Sequence, residues 1–294
     1  MLPSVRRLAA IVLALGALLA VGVGSAWANG VCVLPPGPSG GTREHPLLIA
    51  TQADLEQLHG GACRSEGEWF LQTADIELTG SWTPLANGFP PFRGHYDGGG
   101  HTISSISIAD RGMNMASLFG NVDEVSASEV STISHLRLRG MILGGSYAGG
   151  LIGSANRVTV TDVISHVDVD GLDVVGSLIG WAGSDVSIVG SGATGGVTAT
   201  DSGATDAVAG GGLVGTIDSS GAITGSWATG TVDVTGASAA TALPSALAGG
   251  LLGAGGGVTI AASSASGAAT AHAQGSNTAW AGGITAWLID SAVR

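Results

Sequence analysis

The sequence predicts an all-β protein built as a parallel β-solenoid, and three observations carry that prediction. A short glycine cassette returns six times: Ser117-Leu118-Phe119-Gly120, Gly149-Gly150-Leu151-Ile152-Gly153, Gly176-Ser177-Leu178-Ile179-Gly180, Gly211-Gly212-Leu213-Val214-Gly215, Gly249-Gly250-Leu251-Leu252-Gly253 and Gly282-Gly283-Ile284-Thr285-Ala286. Their last residues stand 33, 27, 35, 38 and 33 residues apart, the period of a stacked-repeat architecture. Downstream of each cassette the apolar residues alternate with period two, as on a strand with one buried face. The alternating positions also match from unit to unit. A unit this small cannot bury its own apolar face and must lean on its neighbours.

The N-terminus is read separately. Arg6 and Arg7 precede an uncharged apolar run from Leu8 to Gly24, and Ala26-Trp27-Ala28 supplies a small-x-small cleavage site. Residues 1–28 therefore read as a secretory signal peptide, with a run short for a spanning helix. Export explains the cysteines: Cys32 and Cys63 make an even pair in an oxidising compartment and are expected to form a disulfide. All ten basic residues are arginine. Eight of them remain after the leader against 22 acids, a net charge of −14. Such a surface disfavours nucleic acid and anionic membranes, which need a basic footprint.

Residues 29–45 are Pro/Gly-rich and read as a linker. Residues 46–115 read as an N-terminal cap with entry strands. Thr51 can cap a short helix with Asp54 three residues on, Leu55 and Leu58 share a face, and Gly60 is a stop. Trp69 to Thr73, Asp75 to Leu78 and Thr102 to Ile108 read as strands, the last entered by a tight Gly98-Gly99-Gly100 turn. Residues 116–294 hold the repeats, the last of them incomplete. With Ile133, Val160, Ile188, Ile223 and Ile260 at position zero, plus five holds Leu138, Ser165, Ala193, Ala228 and Ala265. Plus nine holds Ile142, Val169, Val197, Val232 and Ala269. These odd rows face inward, each residue on its equivalent one coil below. The even rows face outward and are polar and short-chained: Arg139, His166, Thr194, Thr229 and Ser266 at plus six, Met141, Asp168, Gly196, Thr231 and Ala268 at plus eight. Length varies mainly in Asp201–Ala209 and Ala237–Ala248, as insertions on one edge of a solenoid do.

The cassettes with their downstream strands resemble the GLUG-motif repeats of bacterial exported and surface proteins. The lead-in from Phe92 to Ile103 (FRGHYDGGGHTI) and Asp75-Ile76-Glu77-Leu78 followed by Trp82 resemble the segment that precedes such repeats. The likeness runs from about Pro46 to the end. It implies a right-handed parallel β-helix of about five to six repeats, and a role in adhesion or surface binding. It carries over no catalytic residue. Ser177 in place of a glycine, and Thr285-Ala286 at the close of the last cassette, depart from the pattern.

Candidate chemistry is sparse. Gly37-Pro38-Ser39-Gly40-Gly41 has the spacing of a nucleophile elbow but lies in the linker rather than at a strand-to-helix turn. Asp168 and Asp170 share the outward side of one strand, where a carboxylate pair could contribute to a calcium site or to glycosidic cleavage. The seven histidines show no metal-ligand spacing. No cofactor and no metal site are expected. Trp227, at the outward plus-four position beside Gly192, could stack on a sugar ring or simply cover that glycine. With Thr194, Thr198, Thr229 and Thr231 it makes up the candidate ligand face. A flat threonine array could also order water, an ice-binding reading that Asp233 interrupts.

The expectation is a secreted, extracellular or cell-surface, adhesin-like binding module without catalytic activity. It would present a flat solenoid face and one loop edge to a glycan or protein ligand. No membrane span remains after signal cleavage, and end-to-end self-association is a further option. A polysaccharide-acting enzyme on the same scaffold and a structural spacer within a longer surface protein are the alternatives.

Overall fold

A computed structural model describes residues 32–36, 40–60, 63, 66–203, 207–236, 245–274 and 278–294. Residues 1–28, read above as a leader, parts of the expected linker, including the Gly37-Pro38-Ser39 triplet, and the Ala237–Pro244 part of the longest insertion lie outside these residues. Among the described residues the protein is almost entirely β, with one short α-helix followed by a single 3-10 turn, and its named strand pairs are parallel. One ladder runs through the structure: Leu47, Phe70, Tyr96, Ile133, Val160, Ile188, Ile223, Ile260 and Val293 pair in succession. The plus-five row stacks from Leu138 to Ala265 and the plus-nine row from Ile142 to Ala269, in the register the sequence rows predict. The architecture is β-helix-like, each coil lying on the one before at about 4.8 Å. Its interior is a continuous apolar core, in which each fully buried Ile or Val contributes about 1.5–3 kcal/mol.

The repeat coils from Ile133 to Ile260 turn at the same places, because in-register pairing sets each corner on its equivalent one coil below. Two residues after position zero the backbone is left-handed in each of the five coils from Ile133 to Ile260: His135, Asp162, Gly190, Gly225 and Ala262. The amide that follows this turn needs a partner. In the later coils a serine ladder supplies it. Ser191 Oγ accepts from Val163 N, Ser226 Oγ from Ser191 N, and Ser263 Oγ from Ser226 N, at 3.1–3.2 Å. The Ser191 and Ser226 hydroxyls donate in turn to a carbonyl two residues back, so these buried groups are satisfied.

The cassettes make the other sharp corner. A Cβ on Gly212 would overlap the Gly250 carbonyl of the next coil, and one on Gly250 would overlap that of Gly283. Across the interior the same Cβ atoms would stand 2.9 Å from Ala228 and Ala265, respectively. The second cassette glycine and the small plus-five residue are thus two sides of one close contact. The departure at Ser177 has a local reason. Its hydroxyl donates to Val167 O at 3.0 Å, and the buried Ser165 donates to Ser177 O at 2.6 Å.

The N-terminal region joins the stack more fully than a separate cap would. Strands Leu47–Ile49, Glu68–Gln72 and Gly94–Asp97 belong to the same ladder as the repeats. Their interior is aromatic, with Phe92 lying 6.0 Å from Phe70 and 5.1 Å from Phe119. Tyr96 donates to the buried Gln72 at 2.9 Å, and burial drives the phenol pKa upward. The helix is Gln52–Glu56, with Thr51 and Asp54 forming the expected capping box. Cys32 and Cys63 form the expected disulfide, their Cα atoms 4.7 Å apart. Leu34 is fully buried beside it, and Pro35 O accepts the Leu48 amide, covering the first strand. At the other end Ala265, Ala269, Ala271 and Leu288 are only partly buried. Among the described residues no helix is long and apolar enough to cross a membrane.

Two adjacent glycines test the stacking. A Cβ on Gly195 would overlap the Val167 carbonyl, whereas one on Gly196 would meet only ordinary contacts at 3.6 Å. Gly195→Ala is expected to destabilise by about 1–3 kcal/mol and Gly196→Ala by less than about 0.5 kcal/mol, as measured by urea unfolding.

Candidate functional site

The outward rows are where a ligand could be met, and the structure divides them. Thr194 and Thr229 follow the short strands Gly192–Ala193 and Trp227–Ala228. Thr198 lies in Val197–Thr200, and Thr231 immediately precedes Val232–Gly236. All four threonines are exposed. Between the plus-six and plus-eight rows, however, the chain bends at Gly195, Gly230 and Gly267. The threonines therefore occupy two facets rather than one flat array, and the flat-face expectation is corrected on that account. A surface that orders water in a lattice needs the flatness this bend removes.

Trp227 is half-buried, with its indole laid over Gly192. A Cβ there would overlap the ring. Of the two readings open in the sequence, the structure shows the covering one. Trp227 fills the space that the missing side chain leaves.

The carboxylates on the outward strand are engaged between coils. Asp168 accepts the Gly196 amide at 2.8 Å, and Arg111 grips both oxygens of Asp170 at 2.9 Å. Arg137 holds Asp162 at 3.2 Å, Arg93 bridges Glu66 and Asp123, and Arg157 pairs with Glu124. Each pair ties residues 25–59 positions apart in sequence. These partly exposed pairs contribute about 0–1 kcal/mol each. No group of three or more potential metal ligands occurs among the described residues. His166 donates to or accepts from Thr194 Oγ1 at 2.6 Å; burial first, then the charges of Arg139 and Arg137, lower its pKa.

A second cluster lies on the N-terminal coils. His95 is 3 % exposed. Its ring stacks on Trp69 at 4.1 Å, and Arg43 sits 5.4 Å from the Trp69 ring centroid. His95 Nδ1 meets Thr132 Oγ1 at 2.9 Å and Nε2 meets Glu129 Oε1 at 3.1 Å. A neutral ring protonated on Nε2 satisfies both contacts. Desolvation lowers the His95 pKa, opposed by Glu129. Elsewhere on the N-terminal region, a cleft of about 330 Å³ is lined by Glu56, His59, Ser81, Trp82 and Thr83. Its aromatic floor is inaccessible, since Trp82 is 3 % exposed and donates Nε1 to Leu118 O.

Sequence reasoning missed the aromatic pairs. Tyr147 and Trp181 come together with ring centroids 6.1 Å apart, and Trp280 and Trp287 at 6.4 Å. Both pairs occupy the same two ladders: Tyr147, Val174, Ala209, Leu247 and Trp280 on one, Ser154, Trp181, Thr216, Ala254 and Trp287 on the other. These ladders are the two arms of the cassette corner. Seven tryptophans in a chain with few other aromatics are a signal in the sequence, but which rings meet is not.

No protein-family profile matches the chain. An alignment of 153 positions, covering 48% of the chain, is 33% identical to halomucin from Haloquadratum walsbyi. The chain spans only 2% of halomucin's length. A solved structure from Bacteroides ovatus, provisionally called an immunoglobulin A1 protease, superposes with a TM-score of 0.50. The match covers 83% of this chain and 85% of that one at 20% identity, and at that identity the likeness is one of fold.

His95 generates a pH dependence. Its folded-state pKa lies below the ordinary 6.5, so as pH falls the unfolded chain takes up the proton first. Its contribution to stability is complete above about pH 6.5 and is lost as pH falls through the lower folded value. His166 acts in the same direction. Thermal unfolding between pH 7.5 and 5.5 should show a falling melting temperature, with a shallower slope in His95→Gln.

Proposed function

We propose that the protein is an exported, non-catalytic binding module of the GLUG-repeat type, a right-handed β-helix of about five to six repeats that presents its outer surface to a glycan. The observation that carries this reading is the ladder itself. Coil on coil, it repeats outward side chains at the inter-strand spacing over the length of the stack. An extended ligand with a chemical repeat of its own can be met by such a surface at several points at once. Export is supported by the leader, the disulfide and the acidic surface without lysine. The similarity to part of halomucin and the fold likeness to the Bacteroides ovatus structure fit an extracellular β-protein. Asp168 and Asp170, the pair a hydrolytic reading would use, are held by a backbone amide and by Arg111. That engagement favours binding over hydrolysis.

The exported chain, residues 29–294, should bind at least one immobilised surface glycan saturably and release no reducing or unsaturated ends from it. Calcium should not alter the affinity. Ends released from a bound glycan would replace this reading with the enzymatic one. Saturable binding confined to matrix proteins would replace the glycan as the ligand class.

A further inference from the structure

The Tyr147–Trp181 pair differs from the environments of Trp69, Trp82 and Trp227, and its counterpart on the same two ladders, Trp280–Trp287, belongs to the last described coil. Trp82 is buried, Trp227 lies over Gly192, and Trp69 stacks between Arg43 and His95. Trp181 is instead held at the surface by contacts along its edges. Its indole Nε1 donates to Asp218 Oδ2 of the next coil at 2.9 Å. Its six-membered ring reaches over Gly183, where a Cβ would stand 3.0 Å from the ring. Tyr147, 36 % exposed, closes the third side at an interplanar angle of 41°. An indole fixed in this way is a pre-organised surface, with little side-chain freedom left to lose on binding.

The rim is polar. Ser154 pairs with Trp181 from the coil before and Thr216 from the coil after, both partly exposed. Among the described residues, the hydroxyls of Ser154, Thr216 and Tyr147 have no hydrogen-bond partner, and Asp218 is exposed with a second carboxylate oxygen free to accept. A flat aromatic face rimmed by free hydroxyls and a carboxylate matches one ligand chemistry well. A pyranose ring offers an apolar C–H face for the indole and equatorial hydroxyls for the rim. Charge narrows the class. The chain carries a net −14 after residues 1–28, and Asp218 is exposed beside the indole, while Asp185 nearby is shared with Arg157 at 3.9 Å. Uronate or sulfated sugars would be repelled. An amino sugar would gain from both Asp218 and the indole face.

We infer that Tyr147 and Trp181 form a sugar-stacking platform for a neutral or amino-sugar residue of the glycan. This rests on the glycan-binding reading above and deepens it by naming the contact and the sugar class. The test is titration of the exported chain with neutral glucan and mannan oligosaccharides, chitosan oligomers and polygalacturonate. Four variants are compared at matched melting temperature: Trp181→Ala, Trp181→Phe, Tyr147→Ala and Trp227→Ala. The platform predicts binding of a neutral or chitosan oligomer and none of polygalacturonate. Trp181→Ala and Tyr147→Ala should each weaken that binding at least about tenfold, Trp181→Phe less so, and Trp227→Ala not at all. Should Trp181→Ala fail to fold, the surface variant Tyr147→Ala and the conservative Trp181→Phe carry the test. Binding that survives the Tyr147 and Trp181 changes, or that prefers polygalacturonate, overturns the platform and leaves glycan binding standing. No binding to any glycan, here or in the broader screen, overturns both.

Discussion

In-register parallel stacking is the constraint from which the rest of this structure follows. When position zero of one coil pairs with position zero of the next, every corner, carbonyl and side chain must find room directly above its own equivalent. An error in one coil cannot be absorbed locally, because the next coil repeats the outline. Left-handed turns therefore recur at the same offset through His135, Asp162, Gly190, Gly225 and Ala262. Only two of these are glycine, so the path is imposed by the stack rather than chosen by residue type. The serine ladder answers the same demand in hydrogen bonds, with each hydroxyl taking an amide that the corner would otherwise orphan.

The cassette glycines show how packing and backbone geometry become one problem. Gly212 and Gly250 lie against a carbonyl of the following coil on one side and a plus-five alanine on the other. Enlarging either partner would push two coils apart. The N-terminal coils solve their interior differently, with Phe70, Phe92, Tyr96 and Phe119 packed ring against ring where the later coils use aliphatic side chains. The charged residues follow this division. Arginines tie the early coils through Glu66, Asp123, Asp162 and Asp170, and the later coils rely on small side chains and hydroxyls.

Because interior columns are committed to stacking, variation is left to the outward columns and to the arms of the cassette corner. There the chain places side chains that neighbouring coils do not require. Trp227 is an instructive exception: outward by offset, it is nonetheless structural, since it occupies the space over Gly192. Tyr147 and Trp181 stand 34 residues apart on different arms of the corner, and no local pattern joins them. Their meeting depends on the coil path between them, which closes the corner sharply enough to bring two ladders within ring contact.

The sequence by itself determined the strand rows, their register from Ile133 to Ile260, the capping box at Thr51 and the pairing of Cys32 with Cys63. These are legible because a repeat writes the same local pattern many times, and because the helix cap and the lone cysteine pair involve few alternatives. It did not show that strands from Leu47 to Asp97 continue the same ladder, since aromatic residues replace the aliphatic pattern there and the cassette is missing. It also read the threonine rows as one plane. Only the tertiary structure decided where that surface bends, which tryptophan covers a glycine and which meets a tyrosine. Those outcomes depend on the path of whole coils, and a periodic pattern specifies which face a residue takes but not the angle at which that face turns.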